Sequence, residues 1–242
     1  MTLPRALSKT CACCGKTTRI AVLASTGAYG SMDLDMRPPG LMRHALRYQI
    51  HRCGHCGLCV PNLEEVNGVD LPTVVRSTRY RAILENDDLP ELAREFMAFA
   101  HVCELAGWGR AMVRSTLSAA WLCDDQQKVA QARLLRKSIL PMLDDLHARG
   151  EHYSNEREID DVLRLDLLRR TGQFDQVKEA AAALMEKLDG ESVHWKIARF
   201  QIALAGERDV RRYRLGEALE QTIRPMPLWQ RLRAFMGSAM ID

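Results

Sequence analysis

Four cysteines stand in two matched pairs. Cys11 and Cys14 form one CxxC, Cys53 and Cys56 form a second, and glycine follows each pair at once, as Gly15 and Gly57. Two residues between thiols let a tight turn aim both sulfurs at one ion. A glycine after the second cysteine permits positive φ, so that backbone N–H groups can turn toward the thiolates. Two such knuckles supply the four sulfurs of a closed tetrahedral site, and the expected occupant is a structural Zn2+ held by Cys11, Cys14, Cys53 and Cys56. A redox dithiol, inert thiols, or a site of three sulfurs and one histidine are the alternatives. A four-thiolate site has no open position and cannot activate a water without losing a ligand, which argues against a metalloenzyme. Cys13 and Cys59 read as neighbouring thiols, although Cys13 could compete with Cys14 and Cys59 could replace a ligand. His55 sits inside a knuckle turn, where a side chain normally faces solvent, and His51 lies on a stretch entering it.

The second group with chemical character is "DLDMR", containing Asp33, Asp35 and Arg37. In an extended chain residues two apart share a face, so both carboxylates and the guanidinium would point the same way. This is a candidate polar site for a cation or a basic partner group. The alternative is a salt-bridged loop locked by Pro38 and Pro39, with the aspartates paired to Arg37, Arg43 or Arg47. No nucleophile or base stands at a fixed spacing from the pair, so no catalytic residue is assigned. In "RDVRRYRLG", Arg208, Arg211 and Arg212 would fall on one helical face. That is a phosphate-binding stripe or a solvated outer surface, and no second aromatic accompanies Tyr213 to stack bases.

These residues need elements to hold them. "KTTRIAVLAS" is β-branched and apolar and reads as a strand; "TGAYGS" follows as a turn, and "RYQIHR" alternates like a strand entering the second knuckle. After Pro72 the apolar period becomes 3.6. Stripes run through Leu92, Phe96, Phe99, Cys103 and Ala106; Val113, Leu117, Ala120 and Trp121; Leu135, Ile139, Leu143 and Leu146. Further stripes are Ile159, Val162, Leu163 and Leu167; Phe174, Val177, Ala181, Leu184 and Leu188; and Val193, Ile197, Phe200 and Leu204. Pro141 is expected to kink or split its helix, and a last helix is expected at about residues 207–223, before Pro225 and Pro227. The fold class is therefore mostly α with a small β zinc ribbon: a zinc-ribbon-like domain at 1–72 and a helical domain at 73–242. Gly172 and Gly206 are expected in equivalent helix-to-helix turns, 206 − 172 = 34 residues apart, the period of tetratricopeptide repeats.

Taken in order, the CxxCG at Cys11–Gly15, "DLDMRP", the CxxCG at Cys53–Gly57, "SAAWLCDD" at Ser118–Asp125 and "LLRRTGQF" at Leu167–Phe174 resemble a largely bacterial family. That family joins an N-terminal zinc ribbon to tetratricopeptide-like helices. Cys13 and Cys59 depart from its pattern. The resemblance implies a metal-binding helical protein and supplies no reaction.

Charge and composition bound the function. Residues 1–80 carry ten Lys/Arg and five Asp/Glu, or +5; the remainder carries twenty-four and twenty-six, or −2, giving the overall +3. This balance is weaker than the basic stripe of a protein making many phosphate contacts. No apolar run approaches the roughly 18 residues needed to span a bilayer, and no signal peptide is evident, so a cytoplasmic protein with reduced thiols is expected. The leading functional reading is an interaction protein whose helical repeats bind a protein or peptide partner, with no membrane partner. The alternatives are a nucleic-acid binder using Arg37, Arg43, Arg47 and Arg52, and an enzyme using Asp33 and Asp35 or a redox dithiol.

Overall fold

The computed structural model describes residues 4–224, except 26 and 28. Two antiparallel hairpins come first. β1 (Arg5–Thr10) pairs with β2 (Thr17–Val22) in the register Thr10↔Thr17, and β3 (His51–Arg52) pairs with β4 (Cys59–Val60), as two separate two-stranded sheets. Each hairpin carries one CxxC at its tip. The strand expected from "KTTRIAVLAS" is β2. Its partner β1 is almost wholly exposed, so it buries no face and leaves no alternation to read. The "RYQIHR" strand needs correction: Ala45–Tyr48 is a 3-10 turn after α1 (Gly40–His44), and only His51 and Arg52 pair as strand. Within the expected "TGAYGS" turn, Thr26 and Ala28 lie outside the described residues, as do Pro225 and Pro227.

The helices are α2 (Leu71–Arg76), α3 (Thr78–Leu84), α4 (Glu91–Ala106), α5 (Gly109–Asp125), α6 (Val129–Ala148), α7 (Arg157–Arg170), α8 (Phe174–Met185), α9 (Val193–Gly206) and α10 (Leu215–Leu219). No described helix is long and apolar enough to cross a membrane. The expected stripes form the core: Phe96, Cys103, Val113, Leu117, Trp121, Ile139, Leu143, Val177, Phe200 and Leu204 are all buried, while Val193 is exposed. Pro141 does not split α6. A mid-helix proline removes one backbone hydrogen bond, and the buried row Leu135, Ile139, Leu143 and Leu146 holds the helix on both sides of it.

Six of the described helices end in one way. A residue in the left-handed region is followed by an N–H that reaches back to a carbonyl five residues earlier: Trp108 to Cys103, Lys128 to Cys123, Glu151 to Leu146, Gln173 to Leu168, Asp209 to Leu204 and Thr222 to Glu217. The left-handed residues are Gly107, Gln127, Gly150, Gly172, Arg208 and Gln221. This is the Schellman end, which satisfies carbonyls the helix leaves open. It corrects the expected equivalence of Gly172 and Gly206, because Gly206 is the last residue of α9 and Arg208 takes the turn position. It also corrects the helix expected at 207–223. After Arg208 the chain folds around the Asp209 carboxylate, which accepts from the Arg211 N–H (2.8 Å), the Arg211 guanidinium and the Tyr213 hydroxyl (2.7 Å), and only Leu215–Leu219 is helical.

The chain divides into two compact units. Residues 1–30 and 37–155 form the first, with both hairpins and α1–α6; α4 packs on α5 and α5 on α6, while α3 and β4 both pack on α4. Residues 31–36 and 156–242 form the second, in which α7, α8 and α9 pack on one another and α10 packs on α9. The short segment 31–36 belongs to the second unit because Leu34 is buried in its core with Val162, Leu165, Phe200 and Tyr213. Backbone bonds from Leu34 N–H to Tyr213 (2.9 Å) and from Leu215 N–H to Met32 (2.8 Å) pin it there.

Candidate metal centre

The two knuckles repeat one backbone design. Cys11 N–H bonds Lys16 O (3.0 Å) and Cys53 N–H bonds Leu58 O (2.8 Å). Gly15 N–H bonds Cys11 O (2.8 Å) and Gly57 N–H bonds Cys53 O (3.0 Å). Both glycines have positive φ, 69° and 80°, the conformation for which glycine carries no steric penalty. Each hairpin therefore presents two sulfurs from one turn.

The sulfurs of Cys11, Cys14, Cys53 and Cys56 converge, all within 4.8 Å of one another. Cys11 to Cys56 and Cys14 to Cys53 are both 3.7 Å. A tetrahedral ion with metal–sulfur bonds of about 2.3 Å needs sulfurs about 3.8 Å apart, so this cluster fits one. The sulfurs also sit among donors. The Thr18 hydroxyl donates to Cys53 Sγ (3.4 Å). Burial pushes the Cys11 and Cys56 thiols up. At Cys53 burial is outweighed by the Thr18 hydroxyl and the N–H groups of Cys56 and His55, which bring it down to about 6. The surroundings thus favour the thiolate at Cys53, and a cation bound among the four sulfurs would offset the negative charge gathered there.

The remaining cysteines and histidines separate from the cluster. His55 is exposed and its Nε2 bonds the Thr17 carbonyl (3.2 Å); His51 is buried opposite Val60, and burial lowers its pKa. Cys59 is fully buried, its thiol donates to Gly57 O (3.3 Å), and burial raises it to about 12. Burial likewise raises Cys103 to about 12 and Cys123 to about 11. Cys13 is half-buried beside Cys56. These environments set an expected thiol count. Titration of the native, metal-loaded protein with an aromatic disulfide reagent should give one fast equivalent, Cys13, of the eight cysteines. A chelator should release the four ligands as well. Four or more fast thiols before chelation would show that the cluster holds no ion.

The knuckle region is anchored by a residue that sequence reading passed over. Tyr80 of α3 is 1% exposed, and its hydroxyl accepts from Cys59 N–H (2.9 Å) and donates to Gly57 O (3.2 Å). One buried phenol thereby satisfies two backbone groups at the exit of the second knuckle. Its only signal in sequence is an aromatic within a short helical stretch.

The acidic pair is a different matter. Asp33, Asp35 and Arg37 are each 1% exposed. The segment is not extended: Met36 N–H bonds Asp33 O (2.9 Å) in a tight turn, and Met36 has φ 64°. Asp35 pairs with Arg170 (2.8 Å) and Asp33 faces Arg212 (3.6 Å), while Arg37 pairs with Asp125. Salt-bridged burial is what the structure shows. Two of the partners, Arg170 and Arg212, come from more than 100 positions along the chain. No family model, no curated protein and no solved structure matches this chain. Its function therefore has to be argued from its own geometry.

Proposed function

We propose that this protein is a zinc-stapled interaction module that binds a protein or peptide partner. The ion we assign to the cluster is Zn2+, since four converging thiolates in tetrahedral array with no open position suit a structural zinc. On this reading the paired hairpins are a zinc ribbon, and the antiparallel helices that follow are a tetratricopeptide-like array. The ribbon supports the array through Tyr80 and through β4 on α4.

One observation carries the binding reading. A groove of about 350 Å3 crosses α3, α4, α5 and α6 in the first unit. Met97, Met112 and Met142, from three different helices, line it with Ile83, and all four are half-buried. Unbranched methionine side chains adapt to varied apolar surfaces, which suits a groove that receives side chains. Arg79, Glu104 and His101 form a polar edge, with Arg79 to Glu104 at 2.9 Å and His101 to Glu104 at 3.1 Å. A partner inserting one or two apolar side chains onto the methionines, with polar groups toward that edge, fits this surface.

The test is peptide display on the zinc-loaded protein, counter-selected against Met142→Glu. We expect an enriched apolar-anchored consensus that binds the wild type and loses about tenfold or more on the variant, as truncated interface anchors commonly do. Zinc content should be unchanged. Failure to enrich, or peptides that bind both proteins equally, would exclude the groove.

A further inference from the structure

A second concavity, of about 740 Å3, lies against the second knuckle and is walled by α2 and α3. Arg52, Arg76 and Arg81 line it together with His55. All three arginines are exposed, and among the described residues none makes an ion pair. Elsewhere in the same unit Arg79 pairs with Glu104, Arg94 with Asp87, Arg136 with Asp124 and Arg149 with Asp145. Glu85 also lines the cleft and bonds to none of the three. The arginines come from three sequence neighbourhoods: β3, the end of α2 and the middle of α3. Only folding brings them together, and like charges converge at a cost unless something negative lies between them.

We infer that this cleft binds a phosphate-bearing ligand of nucleotide size. A guanidinium presents a planar fork that matches phosphate oxygens in pairs, and three forks around one cleft suit a di- or triphosphate or successive phosphodiesters. Its volume lies within the range of small-ligand sites. Val75 and Leu84 supply an apolar wall for a sugar or base. The rival role for the arginines is to balance the metal centre: four thiolates and one dication carry a formal −2. The two roles part in experiment. A phosphate site is lost with the arginines while the ion stays; a charge-balancing role loses the ion.

The test uses the full-length, metal-loaded protein and two fluorescent probes, a labelled adenine diphosphate and a labelled single-stranded oligonucleotide, read by anisotropy at low and high salt. Arg76→Ala/Arg81→Ala is the main variant and Arg52→Gln the second. We expect at least one probe to bind and to weaken with salt. Affinity should fall about tenfold or more in the double variant and measurably in the single one, with metal content and thiol count unchanged. Preference for the oligonucleotide with a steep salt dependence assigns the phosphate to a nucleic-acid backbone; preference for the diphosphate assigns it to a free nucleotide. The proposal is overturned if neither probe binds at about 1 mM, if both bind the variants as they bind the wild type, or if the variants shed the metal. None of these results bears on peptide capture by the methionine groove.

Discussion

Removing the metal, by a strong chelator or by Cys53→Ser, should unfold both hairpins and leave most of the helix intact. The second hairpin has only two residue pairs, His51↔Val60 and Arg52↔Cys59, and the first is exposed along nearly all of β1. Neither could persist on its own, since isolated two-stranded hairpins are marginal in water. Structural zinc contributes on the order of 10 kcal/mol in small domains, so loss of the zinc proposed for this cluster would exceed anything the local hydrogen bonds can offset. The helices differ because α4–α6 and α7–α9 bury their own apolar rows. Far-ultraviolet circular dichroism should keep most of its helical signal. Hydrogen exchange should accelerate across 5–22 and 51–60, the spans of the hairpins. Limited proteolysis should yield a resistant piece starting between about residues 70 and 90, where the chain is polar and proline-punctuated. The ligands must be deprotonated to hold the ion, so acidification should give the same result as chelation. Collapse of the whole helical signal would show that hairpins and helices form one cooperative core.

Asp166→Ala should destabilise the second unit by about 3–5 kcal/mol, the usual cost of leaving a buried charge uncompensated. Arg169 is fully buried, and its guanidinium is satisfied on every side. It donates to Asp166 (2.6 Å), to the Gln201 side chain (2.6 Å) and to the carbonyls of Asp209 (2.6 Å) and Arg211 (2.8 Å). Gln201 in turn donates to Asp166 (3.1 Å). The network ties α7 to α9 and to the loop after it. Alanine at 166 removes the only anionic partner that Arg169 has among these contacts. At a few degrees per kcal/mol, thermal unfolding of this unit should begin about 10 °C lower. Asp166→Leu with Arg169→Met should recover much of the loss, because an apolar pair of similar size leaves no buried charge. Calorimetry separates these outcomes. A shift under about 2 °C for the single variant would mean that water reaches Arg169.

What could be read without the fold follows from how local each signal is. The cysteine pairs were legible because both the ligand spacing and the glycine after it are set within six residues, and the structure brings those four sulfurs together. The helical rows were legible because a period of 3.6 repeats over several turns. The position of each αL helix end was legible only in part: glycine stands at three of the turns, 107, 150 and 172, but Gln127, Arg208 and Gln221 take the same conformation without it. Strand β1 was not legible, since its stability comes from its partner and not from a buried face. The fates of Asp33, Asp35 and Arg37 belonged wholly to the tertiary structure. A tight turn at Met36 and two arginines far along the chain decide where those carboxylates go, and no pattern within "DLDMR" encodes either. The methionine groove and the arginine cleft are likewise products of packing. Each is lined by residues from separate elements, and a linear sequence carries no term for the distance between side chains on different helices.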